Sequence, residues 1–220
     1  MTDSNSAPSV PGLAPDISWT WQHDDPRRRA ELLSWLSEAE KVAVATYRSE
    51  KRRTEFVLGR AAARRLVAER LGISPPEVRL EVAADGAVEI VGSDLNLSIS
   101  HAGGWATAVV SPRPVGIDME RLSMRSPGVY RYFLARSEYP FLDGTDLDHD
   151  SVQILLWTLK EAVLKGMRTG LRISPKDVKL VSVAPEGLAL AGDRDERAWR
   201  LGWMFWRNCY LAIADRENLP

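Results

Sequence analysis

The run Val115-Gly116-Ile117-Asp118-Met119-Glu120, together with the later run Trp157-Thr158-Leu159-Lys160-Glu161-Ala162-Val163-Leu164-Lys165, decides the organisation of this chain. In the first, Val115, Ile117 and Met119 alternate with Gly116, Asp118 and Glu120, the period-2 pattern of a half-buried strand. Asp118 and Glu120 are therefore expected on one side of that strand. In the second, Trp157, Glu161 and Lys165 recur at every fourth position among strong helix formers, so a helix stacks them on one face. Two carboxylates on a strand and one on a helix make a hard-oxygen set suited to Mg2+, which keeps waters and shares its shell with phosphate oxygens. Taken singly, each run also fits a plainer role: Asp-x-Glu as a solvated strand edge, Glu161 and Lys165 as a surface ion pair.

A chain of 220 residues is long enough for one sizeable core or two small lobes. Its net charge of -1 gives no bulk attraction for nucleic acid or membrane, so a charged partner must meet a local patch. Cys209 is the only cysteine, which excludes an intrachain disulfide, and His23, His101 and His149 are too scattered for zinc-ligand spacing. A reducing cytoplasm is the expected compartment. No apolar run approaches a membrane span, and the first residues lack a basic stretch followed by an apolar one, so a soluble, unsecreted protein is expected.

Residues 1–16 are rich in Ser, Pro and Ala without apolar periodicity and read as a mobile leader. A strand over residues 17–21 is followed by Asp25-Pro26, a helix start, and a helix over about 27–36. Ser37-Glu38-Ala39-Glu40 resembles a capping box, and its helix is expected to continue through the basic residues Arg48, Lys51, Arg52 and Arg53. A basic amphipathic helix then reaches Leu71, closed by Gly72. Strands are expected at 78–82, 87–91, 95–99 and 106–110, with Asp85-Gly86 as a hairpin turn. Pro112 to Pro114 separates the halves. A helix at 128–134, a polar loop at 143–150, the helix of 151–168 and four strands between 178 and 214 follow. Trp199, Trp203 and Trp206 are expected to fill core or interlobe space.

The two opening runs resemble the two signature motifs of the 4'-phosphopantetheinyl transferases, a Gly-Ile/Val-Asp-Ile/Val/Met-Glu strand and a Trp-x-x-Lys-Glu-Ala-x-x-Lys helix. Arg53, Phe56, Gly59 and Arg60 are similar to the family's N-terminal basic helix, and Ser98, Ser100 and His101 to its Ser-x-Ser-His strand end. The resemblance covers roughly residues 50–181 and points to the surfactin-synthetase-activating, two-lobed monomeric type. It implies an α+β fold of two similar lobes related by a pseudo-twofold, each an antiparallel sheet packed with helices, with the active site at the lobe interface. The expected division is 1–16 as leader, 17–112 as the N-terminal lobe and 113–220 as the C-terminal lobe carrying the metal motifs.

The same resemblance implies transfer of the phosphopantetheine arm of coenzyme A onto a serine of an acyl or peptidyl carrier protein, with release of 3',5'-ADP. Asp118, Glu120 and Glu161 are the implied Mg2+ ligands, Glu161 and Lys165 the implied catalytic pair. Arg53, Arg60, Ser100, His101, Lys160 and Lys165 are implied to hold coenzyme A. The chain departs from the family where Gly86-Ala87-Val88 stands in place of Gly-Lys-Pro, so a lysine expected on the cofactor's 3'-phosphate is absent. A second reading, a catalytically weakened member that binds coenzyme A or the carrier without turnover, rests on that departure. The segment after the metal strand, with Arg121, Met124, Arg125, Tyr130, Arg131, Phe133 and Leu134, has the basic and apolar character expected of a surface that docks an acidic carrier.

Overall fold

The computed structural model describes residues 7–144 and 146–216. In chain order the first half supplies β1 (Ser18–His23), α1 (Arg29–Ser34), α2 (Glu38–Thr46), α3 (Glu50–Leu71), β2 (Leu80–Val82), β3 (Val88–Ile90), β4 (Asn96–Ala102) and β5 (Trp105–Ser111). The second half opens with β6 (Val115–Arg121), the short helices α4 (Tyr130–Phe133) and α5 (Pro140–Asp143), and the long α6 (His149–Gly166). It closes with β7 (Lys179–Ala184), β8 (Leu188–Gly192), β9 (Ala198–Trp206) and β10 (Cys209–Arg216). Every strand pairing among the described residues is antiparallel. The sheets run β1-β5-β4, β6-β10-β9-β8-β7 and β2-β3, which makes the fold α+β. No helix among the described residues is long and apolar enough to cross a membrane.

Local chemistry sets the boundaries. Ser37 and Glu40 form the expected capping box, but the helix does not continue through residues 48–53. Tyr47 turns extended, and the Ser49 side chain accepts from Arg52 N to start α3 afresh. Gly72, left-handed at φ 69°, ends α3, and Asp148 caps α6 by accepting from Ser151 N. α3 crosses β5, β1 and β4, while α6 crosses β6 and β10, so each larger sheet carries one long helix. The chain passes from the first sheet to the second between Ser111 and Val115.

The expectation of a mobile leader is corrected from Ala7 onward. Val10 is buried in a core that also holds Trp19, Ile117 and Ile213, and so joins both halves. Pro11 lies over Gly187 and Gly202, where an added Cβ would stand 2.7 Å and 2.1 Å from its atoms. Two side-chain-free positions leave a shallow on the sheet that small residues fill, and such packing has no periodicity to read in sequence. Residues 1–6 lie outside the described residues.

The two larger sheets meet along β4 and β6, each an edge strand of its own sheet. Serine hydroxyls bind the seam: Ser98 Oγ accepts from Ile117 N at 3.2 Å and Ser100 Oγ from Met119 N at 3.1 Å. On its other face β6 presses against α6. A Cβ on Gly116 would lie 1.9 Å from Ala162 O and 2.4 Å from Gly166 N. Strand and helix backbones touch there because neither side has a side chain in the way.

Gly116→Ala is therefore expected to destabilise the fold by about 3 kcal/mol or more, the upper range for overpacking, because the atoms it strikes are backbone. Gly72→Ala, which meets nothing within 4 Å, strains only its left-handed backbone and should lose about 1 kcal/mol. Urea unfolding of both variants checks the contrast.

Candidate active site

β6 presents Asp118 and Glu120 toward α6, and α6 answers with Trp157, Glu161 and Lys165, as the two periodicities require. Asp118 is buried, at 4 % exposure. Its Oδ1 accepts from Lys165 Nζ at 2.6 Å and from Ser100 Oγ at 2.9 Å. Glu120 Oε1 accepts from Trp157 Nε1 at 3.1 Å, and Arg125 Nη2 stands 3.5 Å from Glu120 Oε2. The other Asp118 oxygen, Oδ2, and Glu161 Oε1 are buried without a hydrogen-bond partner.

Burial pushes the Glu161 carboxyl up to about 7, with Asp118 and then Glu120 adding repulsion against the opposing pull of Lys165. Glu120 is raised by burial and by Asp118, against the donation from Trp157. Three acids near one another, two with orphaned buried oxygens, are the chemistry of a cation seat. Among the described residues no three such groups are drawn together tightly enough to grip a metal ion by themselves. The chain's own cations Lys165 and Arg125 hold two of the acids, so the donor set fits a hard cation whose shell is completed by oxygens of a ligand.

The residues expected to hold an anionic cofactor separate into two groups. His101 lines an open cleft of about 790 Å³ together with the cations Arg29, Lys51, Arg121 and Arg125 and the carboxylates Asp24, Glu50, Glu55 and Glu120, Arg29 being paired with Asp24 and Glu50 and Lys51 lying 3.7 Å from Glu55. Its Nδ1 lies 3.7 Å from Glu55 Oε1, and burial lowers its pKa more than Glu55 raises it, so it is a neutral donor at neutral pH. Lys165 also borders a second cleft, of about 500 Å³, beside the Gly86-Ala87 turn. There Arg168 and Arg172 reach across from the other half, Arg168 Nε bonding Asp85 Oδ2 at 2.8 Å and Arg172 Nη1 bonding Asp85 O at 3.0 Å.

Four expected cofactor contacts are corrected or displaced. The Ser100 hydroxyl donates to Asp118 and accepts from Met119 N and Lys165 Nζ, which exhausts one hydrogen and two lone pairs. It positions Asp118 instead of meeting a ligand. Arg60 is buried 3.3 Å from Glu40 and stacks over Phe56. Lys160 is fully buried, with Nζ 2.8 Å from Glu138 and bonded to Val178 O, about 100° round the helix from Glu161. Arg53 pairs with Glu50 at 3.2 Å beside a smaller apolar hollow outside the His101 cleft. Sequence reasoning missed Trp157 as a donor to Glu120 and Glu55 as the partner of His101. The indole sits on the same helix face as Glu161, but its partner lies on another element. In the docking segment, Phe133 and Leu134 prove to be core residues, while Met124 is 91 % exposed.

Two family models match the chain. One, described as the 4'-phosphopantetheinyl transferase N-terminal domain, matches residues 38–111, and the other, the 4'-phosphopantetheinyl transferase superfamily, matches residues 114–212. Among curated relatives, a 4'-phosphopantetheinyl transferase of Bacillus subtilis is 27% identical over 60% of this chain and 59% of its own length. The 4'-phosphopantetheinyl transferase gsp of Aneurinibacillus migulanus is 29% identical over 64% of this chain and 60% of its own length. The match thus spans less than two thirds of both relatives. The 4'-phosphopantetheinyl transferase HetI of Nostoc is 28% identical over 89% of this chain and 85% of its own.

The raised Glu161 carboxyl has a measurable consequence for stability. Between pH 4.5, its ordinary value, and about 7, the folded chain holds a proton that the unfolded chain has released, so stability falls as pH rises through that window. Glu161→Gln should match the parent near pH 5 and exceed it in urea midpoint at pH 8. Glu120 leaves a smaller slope of the same sign in the variant.

Proposed function

Because the chain belongs to the 4'-phosphopantetheinyl transferase superfamily, we propose that it moves the phosphopantetheine arm of coenzyme A onto a serine of an acyl or peptidyl carrier protein, acting as a monomer in the cytoplasm. The observation that carries this reading is Glu161: a half-buried carboxylate with one buried, unpartnered oxygen, raised to about 7 in the metal-free chain, beside Asp118 and Lys165. A serine hydroxyl is a weak nucleophile and a pyrophosphate is shielded by its own charge, so the reaction needs a base and local positive charge. The site offers both. The lone buried cysteine, suited to a reducing compartment, supports the location.

In this reading the carrier serine oxygen attacks the phosphorus that bears the pantetheine arm. A new oxygen–phosphorus bond forms as the pyrophosphate bridge breaks, 3',5'-ADP leaves, and Glu161 takes the serine proton. Burial and its acidic neighbours raise Glu161 to about 7 in the metal-free chain; a cation bound beside it would lower that value and keep the carboxylate ionised, ready to accept the proton. Asp118, Glu120 and Glu161 would hold Mg2+, which when bound neutralises pyrophosphate charge. Ser100 keeps Asp118 fixed, and Trp157 keeps Glu120 fixed. Lys165, on Asp118 in the free chain, has a flexible stem and can turn to the bridging oxygen as charge develops there. His101 would donate to a phosphate from the cleft wall.

Incubation with coenzyme A, Mg2+ and a panel of apo carrier proteins should add the mass of phosphopantetheine to a carrier serine. Coenzyme binding with no mass gain on any carrier would instead favour the weakened binding module. Asp118→Asn, Glu120→Gln and Glu161→Gln should each lower turnover about a thousandfold, several kcal/mol of barrier, with unchanged circular dichroism. Titration calorimetry of Mg2+ into the coenzyme complex should lose its heat in the same variants. Lys165→Ala should lower turnover more than it weakens coenzyme binding, and His101→Ala the reverse.

A further inference from the structure

The turn joining β9 to β10 is two residues, Arg207 and Asn208, both left-handed at φ 53° and 59°. Such a turn favours Asn and Gly, and an arginine there carries steric strain that glycine would not. Strain of this kind persists where something else holds the residue in place. Here the Arg207 guanidinium lies 5.2 Å from the centre of the Trp105 ring and 5.7 Å from that of Trp206. Those rings meet edge to face at 5.2 Å, with Trp21 behind both. The arginine is exposed, and no carboxylate among the described residues pairs with it. A guanidinium held over aromatic rings, with no carboxylate on it, still has N–H groups to offer a carboxylate.

This corner stands at the rim of the His101 cleft. Cys209 pairs with Arg121 across β10 and β6, and Leu122 N bonds Asn208 O at 3.0 Å. The Gly103-Gly104 turn, which lines the cleft, packs beside Arg121, with Arg121 Cδ 3.4 Å from where a Gly103 Cβ would be. Arg121 is likewise exposed, and no carboxylate among the described residues forms an ion pair with it. Two unneutralised guanidiniums and a half-buried tryptophan pair thus flank the entrance to the carboxylates, on a chain whose net charge is only -1.

We propose that the Arg207–Trp105–Trp206 corner is a docking surface for the protein substrate, which lays an acidic segment beside its acceptor serine across the tryptophan pair with a carboxylate on the N–H groups of Arg207. This rests on the reading above that the second substrate is a protein serine. Charge complementarity selects the partner: unpaired cations beside an apolar face suit an acidic, amphipathic helix. A nucleic acid would find too few cations on so neutral a chain to bind well.

The test uses the full chain and a carrier protein that it modifies. Arg207→Glu should raise the carrier KM at least tenfold while leaving kcat and the calorimetric affinity for coenzyme A unchanged. Arg207→Gly removes the guanidinium but relieves the backbone, so it should raise the same KM with no fall in Tm, which separates docking from folding. An unchanged carrier KM in both variants overturns the proposal. A parallel loss of coenzyme affinity overturns it in favour of a nucleotide contact, and duplex DNA binding that disappears with Arg207→Glu in favour of a nucleic acid. If the parent chain transfers nothing and binds no coenzyme A, the functional reading fails and the docking surface falls with it; transfer with an indifferent KM sinks the docking surface alone.

Discussion

The contact on which the rest depends is the crossing of β6 over α6 at Gly116. An added Cβ there would stand 1.9 Å from Ala162 O, so strand and helix approach as bare backbone. Gly166 repeats the condition on the helix side, where Trp199 fills the space a side chain would need. With the crossing point fixed, two residues along the strand reach Asp118 and four reach Glu120, while the helix returns Glu161 and Lys165 to the same side. Spacing the two backbones further apart would separate the carboxylates and leave Lys165 short of Asp118.

The second constraint is the seam between sheets. β4 and β6 do not extend one another by an ordinary ladder; Ser98 and Ser100 supply oxygen acceptors for Ile117 N and Met119 N in its place. Burying those amides without partners would be unfavourable by about 1–3 kcal/mol each. Ser100 closes three bonds at once and so ties the seam to the acid at the centre of the site. Away from the site, buried ion pairs anchor the helices: Glu40 with Arg64 at 2.6 Å, and Glu138 with Lys160 at 2.8 Å. Each is favourable only while both partners are present, because either one alone would be an uncompensated buried charge.

Electrostatics at the centre is a balance between three acids and few cations. Burial and mutual repulsion raise Glu120 and Glu161, and Lys165 and Arg125 relieve only part of that strain. A site in this state gains by binding positive charge, while the cleft beside it carries cations and carboxylates in equal number, Arg29, Lys51, Arg121 and Arg125 against Asp24, Glu50, Glu55 and Glu120.

The sequence by itself determined the two elements that carry the site and the acids on them. Alternation over Val115 to Glu120 and the four-residue repeat of Trp157, Glu161 and Lys165 are local periodicities, and local periodicity survives without knowing the fold. Caps at Ser37 and Gly72 are legible for the same reason. Tertiary structure alone decided which polar residues face the cleft. Arg60, Ser100 and Lys160 carry the right chemistry in the right motifs, yet each is consumed by a partner distant in sequence: Glu40, Asp118 with Met119, and Glu138. The packing of Val10 and Pro11 on Gly187 and Gly202 was equally hidden. A sequence states what a side chain can bond to; only the packed chain states what is already bonded to it.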